Sequence, residues 1–159
     1  MGHRWRFLVY GNPGVGKTHF ACSMPGPIAF IDTEGKGNAI FDKFDKEIVY
    51  WQVEDYDELS QALAEALDTL NAIKDGDVDG FEAGTIGTIV VDSMALCWEW
   101  AQQKYVQMAY PGKSVDDVEF QSALQGGGQS DWKAIKRLHN EEFRKLMLDS
   151  DFHFCWTAT

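Results

Sequence analysis

The chain has 159 residues, 45% of them hydrophobic and 13% aromatic, and a formal net charge of −11. That length fits one domain with a substantial core, and so apolar a composition excludes a disordered chain. The charge excludes a broadly basic surface that grips nucleic acid by counterion release, but not a local basic stripe or a site shared between subunits.

No apolar run approaches the ~20 residues needed to span a bilayer. The stretch Phe7-Leu8-Val9-Tyr10 is too short for a signal peptide and no small-residue cleavage site follows it, so a cytoplasmic location without membrane attachment is expected. Cys22, Cys97 and Cys155 are odd in number, lack metal-like spacing and sit in apolar segments, as buried reduced thiols do.

Residues 6–10 form a short apolar run that ends at Gly11, the pattern of a buried strand entering a tight turn. Residues 16–24 read as a helix stopped by Pro25-Gly26-Pro27, and 28–32 as a second buried strand. A short helix is expected over 38–45 and a third strand over 48–53, which is rich in β-formers. Asp55 and Glu58 have capping-box spacing, and Leu59, Leu63, Ala66, Leu67, Leu70 and Ile73 then recur at helical intervals. An acidic loop over 74–87 precedes a fourth strand at 88–92. Residues 94–108 look helical, 109–130 irregular and 131–148 amphipathic and helical, and a fifth strand runs from Phe152 to Thr159. Strands alternating with helices predict a parallel sheet covered on both faces, within a single domain over residues 1–159.

The chemistry is concentrated in Gly11-Asn12-Pro13-Gly14-Val15-Gly16-Lys17-Thr18, which fits G-x-x-x-x-G-K-[ST] between a predicted strand and a predicted helix. Glycines let successive N–H groups turn toward a phosphate. Lys17 can reach the β- and γ-phosphates, the Thr18 hydroxyl can bind Mg²⁺, and the following helix, whose next residue is His19, begins where its dipole favours negative charge. These residues are therefore candidates for binding ATP. Asp92 ends a strand of β-formers, the Walker B pattern for a carboxylate that serves Mg²⁺. The residue after it is Ser93, so the Glu that many P-loop ATPases carry there is absent. Glu34, just past the second strand on the ligand-binding edge, is the candidate base, although a solvated carboxylate in a turn before Gly35 is the alternative.

Gly-Asn-Pro-Gly-Val-Gly-Lys-Thr, then Ile-Ala-Phe-Ile-Asp-Thr-Glu, then Ile-Val-Val-Asp-Ser, in this order, resemble the RecA-like core, and most closely the phage RecA-like ATPases of single-strand annealing and recombination. The resemblance covers residues 6–100 well and 131–159 loosely. It implies a three-layer P-loop NTPase with strands ordered 48–53, 28–32, 88–92, 152–158, 6–10, which leaves 6–10 at an edge. It also implies a catalytic role for Glu34 and Lys17, a homo-oligomer, a single-stranded DNA partner, and a bacterial or phage-infected host cell. The family's γ-phosphate sensor falls in Cys155-Trp156-Thr157-Ala158-Thr159, where Thr157 is the candidate, in place of the Asn-Gln pair of RecA itself. RecA-like cores continue further, so the sequence reads as an incomplete domain, truncated at its C-terminus.

Weaker signals remain. Asp75-Gly76-Asp77-Val78-Asp79-Gly80 mimics the start of an EF-hand loop, but its twelfth position is Ile86, so an acidic solvated loop is the better reading. Tyr105, Tyr110, Lys104, Lys113 and the glycines 126–128 suit a loop that stacks bases and tracks phosphates, or else an ordinary insertion interrupted by Asp116, Asp117 and Glu119. Lys133, Lys136, Arg137, Arg144 and Lys145 form a solvated face or supply a charge to a neighbouring subunit's nucleotide. The competing functions are a small-molecule or nucleotide kinase, against which the chain has no lid-like arginine cluster, and a nucleotide-switched binding module with little turnover.

Overall fold

Runs of β-branched and aromatic residues bounded by glycine and proline become five strands in the computed structural model, which describes residues 2–120 and 130–159. They are β1 (Arg6–Tyr10), β2 (Ile28–Asp32), β3 (Ile48–Gln52), β4 (Thr88–Asp92) and β5 (His153–Ala158). The strands form one parallel sheet ordered β1-β5-β4-β2-β3, the order that the RecA-like resemblance implies. The chain has the α/β three-layer P-loop NTPase fold, with two compact units: Met1–Ala95 with Ser150–Thr159, and Leu96–Asp149.

In the first unit, every residue of β2 and β4 is buried, which is why both strands read as unbroken apolar runs. Alternate side chains feed opposite faces. Ile28, Phe30, Val90 and Cys155 pack with Ala21, Cys22 and Met24 of α1 (Lys17–Ser23) and the residue after it. A 3₁₀ helix over Gly37–Lys43 adds Ile40 and Phe41 to that face, and Phe30, Phe41 and Tyr50 meet ring to ring. The long helix α2 (Tyr56–Asp75) buries Leu59, Ala62, Leu63, Ala66, Leu70 and Ile73. Each fully buried Leu is worth about 2 kcal/mol.

The caps of α2 refine the sequence reading. Asp55 accepts the Glu58 N–H at 2.8 Å, but the Glu58 carboxylate returns to the Glu54 N–H, not to that of the cap residue. Gly76, at φ 83°, ends the helix, and the Asp77 N–H closes onto the Ala72 carbonyl. Asp75 and Gly76 thus belong to a helix terminus, and the EF-hand likeness has no structural counterpart.

Strand β1 lies at the sheet edge, pairing with β5 alone among the described residues, and Leu8 (65%) and Tyr10 (78%) are exposed. Its anchoring depends on the residues around it. Arg6 donates to the Phe152 and Ser150 carbonyls, and the Trp5 N–H donates to His153 Nδ1 at 3.0 Å.

The second unit holds α3 (Ala95–Ala109) except its first residue, α4 (Asp131–His139) and α5 (Lys145–Asp149). The single helix expected over 131–148 is interrupted by a π-helical turn at Asn140–Arg144. Its extra residue offsets the ~80° by which positions eight apart diverge on an α-helix. Ile135 and Phe143 are accordingly both buried. Trp98 and Trp132 lie parallel, 6.4 Å between centroids, with Phe120 and His139 edge-on to the pair. Asp131 is buried at the start of α4 and accepts hydrogen bonds from the Tyr105 and Tyr110 hydroxyls. These two tyrosines, base-stacking candidates in one of the two readings of this stretch, are therefore engaged within the unit, and glycines 126–128 of the same stretch lie outside the described residues. Lys133, Lys136 and Arg137 are exposed, and Arg137 pairs with Glu141 at 2.9 Å.

Candidate functional site

Parallel strands bring their C-terminal ends to one edge; residues 11–16, Glu34, Asp92 and Thr157 lie in or just after the ends of β1, β2, β4 and β5, and Lys17, Thr18 and His19 open α1. The loop over residues 11–16 leaves β1, with the Gly11 N–H held by the Ala158 carbonyl at 3.2 Å. Gly14 and Gly16 take φ of 82° and 94°, a region open to glycine and strained for other residues. A Cβ at either would meet nothing within 4 Å, so their backbones face open space. Among the described residues, no group accepts a hydrogen bond from the N–H of Gly14, Val15, Gly16, Lys17 or Thr18. A run of unpaired donors on glycine-shaped backbone can accept an anion. The Lys17 ammonium donates to the Gly11 and Asn12 carbonyls at 2.6 and 2.9 Å, which leaves one of its three protons to direct outward.

Three side chains then form a chain of hydrogen bonds. The Thr18 hydroxyl donates to Asp92 Oδ2 at 2.7 Å and the Thr157 hydroxyl donates to Asp92 Oδ1 at 2.5 Å. One carboxylate thereby joins the first turn of α1 to β4 and β5. Asp92 is only 8% exposed and Thr157 is fully buried, so both depend on these bonds. The Thr18 hydroxyl, its proton given to Asp92, keeps lone pairs for a cation. Among the described residues, no group of three or more His, Cys, Asp or Glu could hold a metal ion. A cation at this place would thus draw most of its ligands from phosphate and water, a donor set that fits Mg²⁺.

Glu34 lies two residues past β2, exposed, in a turn that Asp32 organises. Asp32 Oδ1 accepts the N–H groups of Glu34 and Gly35 at 2.9 and 2.8 Å. Its Oδ2 accepts the Gly37 N–H at 2.7 Å and the Tyr50 hydroxyl at 2.8 Å. Burial, followed by the bond to Asp32, pushes the Tyr50 phenol up to about 12. Asp32 and Asp92 are direct register partners, and the Thr33 N–H donates to the Asp92 carbonyl at 2.8 Å. Glu34 is therefore one residue from a direct bond to the strand that holds Asp92.

His19 is exposed beside the loop with its ring against Phe44, centroids 4.8 Å apart. Cys22 and Cys155 are buried, and burial followed by the Asp92 charge raises their thiols to about 11 and 12. Both remain protonated near neutral pH and are inert packing groups there. Sequence reading missed Asp32, Thr33, Ser93 and Tyr50. The signal available was Asp32-Thr33-Glu34-Gly35, an Asx-turn pattern whose carboxylate folds back on its own backbone.

Among the described residues, no helix is long and apolar enough to cross a membrane. No curated protein matches the chain. Residues 3–147 match the model of a protein family described as an AAA domain. With that match over most of its length, and with a run of unpaired N–H donors and a buried carboxylate on one sheet edge, the chain belongs to the AAA domain family, a family of nucleotide-binding ATPases.

Proposed function

We propose that the protein is a Mg²⁺-dependent ATPase of RecA-like type that acts with single-stranded DNA, in annealing or recombination, as a homo-oligomer. The observation that carries the nucleotide site is the run of unpaired N–H donors over residues 14–18 beside the Thr18–Asp92 bond. Two further features support the RecA-like form: β5 lies between β4 and β1, and a carboxylate stands at the end of β2 where Ser93 follows Asp92. The single-stranded DNA, the oligomer and the link to phage recombination rest on the motif resemblance.

In this reading the N–H nest and Lys17 bind the ATP phosphates, and His19 flanks them. Thr18 and Asp92 would hold Mg²⁺, which would supply charge neutralisation at the phosphates. Glu34 accepts a proton from water. The water oxygen bonds to the γ-phosphorus as the bond to the β–γ bridging oxygen breaks, and ADP leaves with that electron pair. Thr157, buried and bonded to Asp92, acts on the phosphate end through that carboxylate.

The test is hydrolysis of Mg-ATP by the parent and by Glu34→Gln, with and without single-stranded DNA. Removing a general base lowers turnover by roughly 100-fold or more while ATP still binds. Parent-rate hydrolysis by Glu34→Gln would favour a nucleotide-switched module, and phosphate transfer to an added acceptor would favour a kinase. Turnover unaffected by DNA would reject the DNA-coupled part alone.

A further inference from the structure

We infer that Thr33 is a positioning residue for hydrolysis, because it ties the Glu34 turn to the strand end that carries Asp92. The inference rests on the reading of Glu34 as the base.

Thr33 makes three hydrogen bonds to two consecutive residues. Its hydroxyl donates to the Ser93 carbonyl at 2.7 Å and accepts the Ser93 N–H at 2.8 Å. Its own N–H donates to the Asp92 carbonyl at 2.8 Å. The β2–β4 ladder ends with the pair Asp32 and Asp92, so the Thr33 side chain carries the pairing one residue beyond it. A threonine hydroxyl has one donor and two acceptor sites, and a backbone unit offers one donor and one acceptor. Thr33 is therefore matched to Ser93 by chemistry, and at 7% and 3% exposure neither residue has ready access to water as a substitute.

Asp32 fixes the other side of Glu34. Asp32 is 1% exposed, and its carboxylate holds the N–H groups of Glu34, Gly35 and Gly37 together with the Tyr50 hydroxyl. Gly35 takes φ 73°, and a Cβ on Gly37 would sit 2.6 Å from the Phe30 ring. Both glycines permit the tight approach to Asp32 that the turn needs. Glu34, exposed, is thus held between a neighbour sewn to Ser93 and a neighbour held by Asp32.

The same strand end holds Thr18 and Thr157 through the Asp92 carboxylate. Bonds from Thr33 to this segment fix the Glu34 backbone relative to the groups that face nucleotide. A displacement of about 1 Å from the productive geometry can cost on the order of 100-fold in rate. Binding of nucleotide, which depends on the loop over residues 11–18, needs no such alignment.

The experiment compares Mg-ATP hydrolysis and Mg-ATP affinity for the parent, Thr33→Val, Thr33→Ser, Glu34→Gln and the double variant Thr33→Val/Glu34→Gln. Valine keeps the shape and removes the hydroxyl, whereas serine keeps the hydroxyl. Expected is a kcat roughly 10- to 100-fold lower for Thr33→Val, with KM and ATP affinity within a few-fold of the parent and turnover restored by Thr33→Ser. In the Glu34→Gln background, Thr33→Val should lower kcat no further, since residues acting as a unit are not additive. A slow Glu34→Gln with a parent-rate Thr33→Val would overturn this inference and leave the base intact; a parent-rate Glu34→Gln overturns both. Equal losses in kcat and affinity, or no rescue by serine, would assign Thr33 to general stability and likewise reject the inference. Should Thr33→Val fail to fold, Tyr50→Phe probes the turn through Asp32. A few-fold lower kcat at unchanged affinity is expected there, and an unchanged kcat counts against the inference.

Discussion

Removing the Thr157 hydroxyl isolates the bond that joins β5 to Asp92. Thr157→Val keeps the branched shape on a fully buried position and deletes a donor 2.5 Å from Asp92 Oδ1. A hydrogen bond to a charged group is worth roughly 1.5–3 kcal/mol net. The added methyl recovers about 0.8 kcal/mol of transfer energy. The loss should therefore be about 1–2 kcal/mol, which for a chain of this length lowers Tm by about 2–8 °C. Equilibrium urea unfolding of Thr157→Val, Asp92→Ala and the double variant gives the pairwise term directly. The deficits should fail to add by at least about 1 kcal/mol, because Asp92→Ala already deletes the acceptor that Thr157 uses. Additivity within about 0.5 kcal/mol would show that the hydroxyl and carboxylate do not interact, and would remove the basis for a role of Thr157 through Asp92.

Lys17→Ala should weaken Mg-ATP binding at least about 10-fold, one lost charge-assisted contact to phosphate, with an unfolding midpoint close to the parent's. Parent affinity, read by isothermal titration, would contradict the nucleotide site. Gly87→Ala should destabilise the fold by about 1–3 kcal/mol, since a Cβ there would collide with the Pro27 carbonyl and come within 2.8 Å of Leu70; a neutral urea midpoint would show that the β2–β4 approach is loose. His153 is held below its ordinary pKa by burial, then by Arg4 and Arg6, and its Nδ1 accepts the Trp5 N–H. The unfolded chain takes the proton first as pH falls, so this stabilisation is complete above about pH 6.5 and is lost on acidification below it. His139, lowered by burial, contributes with the same sign. Thermal melts of His153→Gln should show a shallower loss between pH 7 and 5.5 than the parent, and parallel curves would refute the assignment.

Much of the sheet was legible because β2 and β4 are buried on both faces, so their residues form unbroken apolar runs with turn residues on either side. The glycine loop was legible for a related reason, since its chemistry is carried by backbone in consecutive positions and needs no partner from elsewhere. Helix α2 announced itself through apolar spacing and Asp55. The break in the last helical segment was not legible, because Asn140–Arg144 contains neither proline nor glycine and the π turn is set by where Ile135 and Phe143 must pack.

The sequence by itself determined the local elements, the glycine loop over residues 11–18 and the strand-end positions of Glu34 and Asp92, since each depends on residues close in the chain. Only the tertiary structure decided the partners of Asp92 and the clamp on the Glu34 turn. Thr18 and Thr157 lie 74 and 65 residues from Asp92, and Thr33 lies 60 from Ser93. A hydroxyl has the same local signature whether it faces water or a buried carboxylate. The parallel crossovers decide which it meets, because they bring strand ends distant in sequence to one edge.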